Sequence, residues 1–147
     1  MEAVIFCGIQ AAGKTTFYLQ RFFTSHVRIS LDLLRTRARE KLLLDACFSA
    51  KQPFVVDNTN VRRDERAVYI AAARARGFRV IGYYFVTEPK AAFARNRTRE
   101  GKAAVPAPAL FATQKRLEPP TLAEGFDQLF RVEIAEGGTF TVTAVDG

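Results

Sequence analysis

Tryptophan is absent from this 147-residue chain, histidine and methionine occur once each, and cysteine occurs twice. Each scarcity removes a class of chemistry. One histidine and two scattered cysteines make no ligand cluster for a structural zinc ion, and Cys7 and Cys47 have the spacing of neither a disulfide framework nor a CxxC redox pair. That pattern points to a reducing compartment. With His26 as the single imidazole, a carboxylate is the natural proton acceptor for any catalysis. Long apolar runs are missing as well. None approaches the roughly 20 residues of a membrane span, and no basic leader with an apolar stretch precedes the first predicted strand. The expected location is cytoplasmic, away from membranes, and nothing marks an obligate protein partner. Acidic residues number 15 against 22 basic ones, a formal charge of +7. An arginine-rich excess suits a polyanionic partner, although many small domains are basic for solubility alone.

What is present suffices for one core. Hydrophobic residues make up 48% of the chain, and no repeat, low-complexity tract or long linker divides it, so residues 1–147 are expected to form a single domain. Ala3–Cys7, Val27–Ser30, Phe54–Asp57 and Phe78–Val86 are apolar runs of strand length, with later candidates at Gln128–Ile134 and Thr139–Val145. Helical periodicity marks Thr16–Phe23, Leu31 to about Ala50, Asp64–Arg76 before Gly77, Pro89 to about Arg99, and Ala109–Arg116. Strands alternating with helices predict an open parallel α/β sheet, whose ligands gather at the carboxyl ends of the strands.

One segment at such an end carries a mechanism. Gly8-Ile9-Gln10-Ala11-Ala12-Gly13-Lys14-Thr15 fits G-x-x-x-x-G-K-[ST], placed between an apolar strand and a helix. The glycines let backbone N–H groups curl around a polyphosphate, and the helix offers its positive end. Gly8, Ala11, Ala12, Gly13, Lys14, Thr15 and Thr16 are therefore the candidate nucleotide contacts. Lys14 would reach the β- and γ-phosphates of ATP, and the Thr15 hydroxyl would bind Mg²⁺.

Further candidates follow other strand ends. Asp32 sits in the first turn of a predicted helix, where it serves either as the base for a hydroxyl acceptor or as a helix cap. Arg35 and Arg39, three and seven residues on, would share its face, as an anion clamp or as solvated ion pairs, with Arg37 on another side. Asp57 holds the position of a Walker-B acid, able to support a metal-bound water or orient an acceptor. Asn58-Thr59-Asn60 after it also fit an ordinary turn, and Arg62, Arg63 and Arg66 follow. Arg95, Arg97, Arg99 and Lys102 lead into a Gly/Pro-interrupted segment, which suits either a cationic lid over residues 95–108 or a charged helix end.

Taken in order, these segments resemble the kinase domain of 5′-hydroxyl polynucleotide kinases, within the small P-loop kinases. The resemblance runs from Met1 to about Ile134. Ser30-Leu31-Asp32-Leu33-Leu34-Arg35 is similar to that family's Ser-x-Asp-x-x-Arg element, Asp57-Asn58-Thr59-Asn60 to its Asp-Asn-Thr-Asn element with Arg66 and Tyr69 beyond, and Glu124-Gly125-Phe126 to a C-terminal element. The resemblance implies a sheet order 2-3-1-4-5 with helices on both faces and a small lid. It also implies transfer of the γ-phosphoryl of ATP, with Mg²⁺, to the 5′-OH end of DNA or RNA in nucleic acid repair. Lys14, Asp32 and Arg99 would be catalytic, Arg95 would assist at the nucleotide, and Thr15 and Asp57 would hold the metal. Asp32, Arg35, Asp57, Asn58 and Arg66 would meet the acceptor. Ala11 stands where many of these kinases have a third loop glycine, and the resemblance covers only the kinase portion of relatives that carry other domains. Kinases of sugars, nucleosides or antibiotics share the same loop, Asp and lid, so a small-molecule acceptor is one alternative and a slowly hydrolysing ATP-gated binding protein is another.

Overall fold

In the computed structural model, residues 1–88, 91–92, 94, 106–135 and 138–146 are described. The strand β1 (Glu2–Cys7) is apolar throughout its last five residues, and both its faces are covered. Parallel neighbours lie on either side, β3 (Phe54–Val56) and β4 (Arg79–Phe85). Outside them lie β2 (Val27–Ile29) and β5 (Gln128–Ile134), also parallel. The order is β2-β3-β1-β4-β5-β6, which contains the expected 2-3-1-4-5. The addition is β6 (Phe140–Ala144), antiparallel to β5 at the edge.

Side-chain alternation divides the core into two layers. Ala3, Ile5, Phe54, Val56 and Val80 face Cys47 and Phe48 of α3 (Arg37–Ala50) and Tyr69, Ile70 and Ala73 of α4 (Arg63–Ala75). Val4, Phe6, Val55, Ile81 and Phe85 face Phe17 and Tyr18 of α1 (Lys14–Arg21). The second layer absorbs much of the phenylalanine. Phe6 packs edge-on against Phe17 and Phe85 with ring centroids 6.0 and 4.9 Å apart, a geometry that rewards the ring quadrupole as well as burial.

The predicted helix from Leu31 to Ala50 is two helices. Leu31–Leu34 forms a single turn, α2, and Arg35 then leaves helical space at φ 73°. Thr36 caps α3, its hydroxyl accepting from the Arg39 N–H at 3.1 Å. A capping threonine inside a helical pattern offers the backbone a competing restart, which periodicity alone does not reveal. Arg35 and Arg39 therefore do not share one helical face with Asp32. Leu31, Leu34, Ala38 and Leu42 follow one helical period in the sequence, yet Leu42 is 72% exposed. Ala107 and Pro108, expected in an irregular connection, open the next helix, α5 (Ala107–Arg116). Of the predicted helix from Pro89 to Arg99 only Ala91, Ala92 and Ala94 are described, all helical, and the rest of it with most of the lid segment falls outside the described residues.

Candidate active site

The phosphate loop hangs on β1 and is held from three sides. The Gly8 N–H donates to the Thr59 carbonyl at 2.9 Å, tying the loop to the segment after β3. A Cβ on Gly8 would meet Phe85 Cβ at 2.9 Å and its carbonyl oxygen at 3.0 Å, so the end of β4 requires glycine there. Gly13 has φ 89° and lies against Phe140 and Ile134. The β5–β6 hairpin thus braces the turn into α1. Ala11, where a third glycine was absent, adopts φ 60° and is buried.

Lys14, the first residue of α1, folds back along the loop and donates from Nζ to the carbonyls of Gly8 at 2.8 Å and Ile9 at 2.7 Å. It fixes the loop's curvature. Thr16 lies exposed in the same first helical turn.

At the adjoining strand ends, the Thr15 hydroxyl donates to Asp57 Oδ2 at 3.0 Å. Asp57 follows β3, and its side chain is 2% exposed. The same Oδ2 accepts from Arg28 Nε at 2.8 Å, and Arg28 Nη2 reaches Thr15 Oγ1 at 3.3 Å. Sequence reasoning read Arg28 only as part of a strand. A charged residue in the middle of a short apolar strand was the available signal.

These oxygens fit a hydrated Mg²⁺. A carboxylate and a hydroxyl are hard donors, and the ion ordinarily takes few protein ligands and keeps several waters. Ser30 adds to the fit. It is fully buried, its Oγ has no hydrogen-bond partner among the described residues, and its extended backbone carries the side chain to the face that Arg28 uses. Among the described residues there is no cluster of three or more His, Cys, Asp or Glu side chains suited to a different metal.

Asp32 is exposed in the single turn α2. That turn is tied to the metal-side strand end, because Asn58 Oδ1 accepts from the Leu31 N–H at 2.9 Å. Asn58 Nδ2 donates in turn to Glu40 Oε2 at 3.2 Å. Glu40 is buried, and its Oε1 accepts from the Tyr69 hydroxyl at 2.9 Å and from Arg37 Nη1 at 3.1 Å. Burial, with the Glu40 charge beside it, pushes the Tyr69 phenol up to about 12. Asn58 and Arg37 both enter this network, so Asn58 positions the turn that bears Asp32. Glu40 carried no signal in the sequence.

Arg66 departs from its expected role. It is fully buried and donates from Nε and Nη2 to the two oxygens of Glu124 at 2.8 and 3.0 Å, and from Nη1 to the Asn60 carbonyl at 2.9 Å. Burial opposes its charge, but the bonds and charge of Glu124, with Cys7, outweigh that and hold the guanidinium above its ordinary range. Its side chain is spent inside the protein, with no exposed surface left to meet an acceptor. Asn60, at φ 44°, donates to the Phe6 carbonyl at 2.9 Å and completes the join between β1 and the segment after β3. Arg95 and Arg99 lie outside the described residues.

A parallel sheet with a strand–loop–helix phosphate cradle and a threonine–aspartate pair beside it defines a nucleotide-binding protein of the P-loop kinase fold. Solved structures share that fold. A gluconokinase from Sinorhizobium meliloti matches with a TM-score of 0.64 at 16% identity, over 92% of this chain and 83% of that one. A sugar kinase from Janibacter matches at 0.67 and 16%, over 90% and 85%. Kti12 of Chaetomium thermophilum, in complex with ADP-AlF3, matches at 0.65 and 16%, over 92% of each chain. A family model described as an AAA domain, AAA_33, matches residues 4–120, and the chain belongs to that family.

Proposed function

We propose that this protein is an ATP-dependent phosphotransferase that moves the γ-phosphoryl group to a hydroxyl, with the 5′-OH end of a polynucleotide as the acceptor. The observation that carries the transfer is the convergence of Lys14, Thr15 and Asp57 at one set of strand ends, with the Asp32 turn bonded to Asn58 beside them. Lys14 and the loop amides hold the donor phosphates. Thr15 and Asp57 hold the magnesium ion, which when bound neutralises phosphate charge. Asp32 accepts the proton of the attacking hydroxyl, and its exposure leaves it open to an acceptor. Arg99, with Arg95, keeps the role that the sequence resemblance implies, offsetting charge as the phosphoryl group moves.

The net charge of +7 favours a polyanionic acceptor. A second reading, a small hydroxyl compound such as a sugar as acceptor, is supported by the shared fold of the gluconokinase and the sugar kinase.

The test is transfer of label from γ-labelled ATP with Mg²⁺ to matched 5′-OH and 5′-phosphate oligonucleotides, DNA and RNA in parallel. Label on the 5′-OH strands alone, lost in Asp32→Ala while ATP still binds, supports the polynucleotide acceptor. No label on any strand, with label on a sugar or nucleoside, would replace it with the second reading.

A further inference from the structure

Arg28 lies on the metal side of the site with a geometry that neither donor nor acceptor binding explains. Its guanidinium spans both oxygens that the bound ion would use, donating to Asp57 Oδ2 at 2.8 Å and to Thr15 Oγ1 at 3.3 Å. Asp57 is almost fully buried whereas Arg28 remains 25% exposed. A carboxylate so placed needs a positive partner, since an unpaired buried charge is costly. Arg28 is that partner in this structure, and a divalent cation is the competing one. Both cannot draw on Asp57 Oδ2 and Thr15 Oγ1 at full strength, and because β2 is an edge strand of the sheet, the arginine has room to leave.

We infer that Arg28 is a built-in counter-charge of the magnesium site. It holds Thr15 and Asp57 together before the nucleotide arrives, and it keeps a free divalent ion from settling on them. The ion displaces it only when donor phosphates complete the coordination shell. The chain then takes metal and nucleotide as one complex. This rests on the proposed metal–nucleotide site but on no choice of acceptor.

The experiment uses the full chain and Mn²⁺ as a spectroscopic substitute for Mg²⁺, followed by electron paramagnetic resonance with and without the β,γ-imido analogue of ATP. Wild type is compared with Arg28→Gln and Arg28→Lys. Removing the charge should tighten Mn²⁺ by roughly tenfold, within the usual span of site-to-site coupling, and should weaken the metal-free analogue. Arg28→Lys, which keeps the charge, should stay near wild type for both. Unchanged or weaker Mn²⁺ binding in Arg28→Gln would overturn the inference. Should that variant fail to fold, the Arg28 Nε–H signal in ¹⁵N spectra of the wild-type chain decides the matter. Loss of its hydrogen-bonded shift on adding the metal–analogue complex is the expected result, and its persistence overturns the inference. Failure of the analogue to bind wild type would count against the proposed function instead, and the Arg28 comparison would still be read from the ion alone.

Discussion

The Arg66–Glu124 pair shows how much one residue's surroundings decide about its role. Arg66 sits in a run of arginines beside the site, yet it is fully buried and each guanidinium edge is bonded. Breaking such a pair leaves a charge stranded, so Arg66→Met should cost about 3–5 kcal/mol in urea unfolding. An arginine that bound substrate from the surface would cost far less stability. Cys7 lies against the same guanidinium, its Sγ 3.6 Å from Arg66 Nη1, and burial pushes its thiol up to about 11. Thiols react as thiolates, so neither Cys7 nor the buried Cys47 should be labelled by a disulfide reagent at pH 8 until the protein is unfolded. Rapid native labelling of Cys7 would mean that the strand is open there.

At the scale of elements, the break between α2 and α3 turns on Arg35. Its φ of 73° with ψ of −32° is sparsely populated by residues with a side chain, a strain of order 1–3 kcal/mol. Arg35→Gly should therefore raise thermal stability by about 1 kcal/mol, or roughly 2–4 °C for a chain of this size. If Arg35 also grips the acceptor, the same variant loses kcat/KM for it. A variant that is less stable would show that the Arg35 side chain is worth more to the fold than its backbone costs. Asn58→Ala should release α2 from the strand end, lowering kcat while ATP affinity holds; equal losses in both would deny the positioning role. The strands and the loop were legible because their signals are local: apolar runs, glycines at fixed spacing, a lysine and a threonine; the strand order followed from the family resemblance. The split at Arg35, the Glu40–Tyr69–Asn58 network and the Arg28–Asp57 bridge were not. The split is a local competition between a capping threonine and the helical pattern, while the other two depend on which side chains the fold brings together, and residues 28 and 57, or 40 and 69, have no relation in sequence that periodicity can detect.

Across the whole molecule, buried thiols and phenols shape the response to alkali, Cys7 and Tyr69 foremost. Cys7 rises from an ordinary 9.0 to about 11 and Tyr69 from 10.0 to about 12, burial being the leading cause in both. A pKa raised by folding adds stability that is complete below the unfolded value and lost as pH climbs through the folded one. Stability should therefore hold up to about pH 9 and decline steadily toward pH 12, with Cys7→Ala and Tyr69→Phe together flattening that decline in urea midpoints. All of the candidate donor and acceptor residues lie before residue 100, and a fragment ending at Pro120 would keep every one. It would nevertheless lack Glu124 and the β5–β6 hairpin that backs Gly13. The chemistry is therefore not portable in its first hundred residues. Any attempt to excise it as a minimal module, or to graft it onto another protein, must carry the tail along.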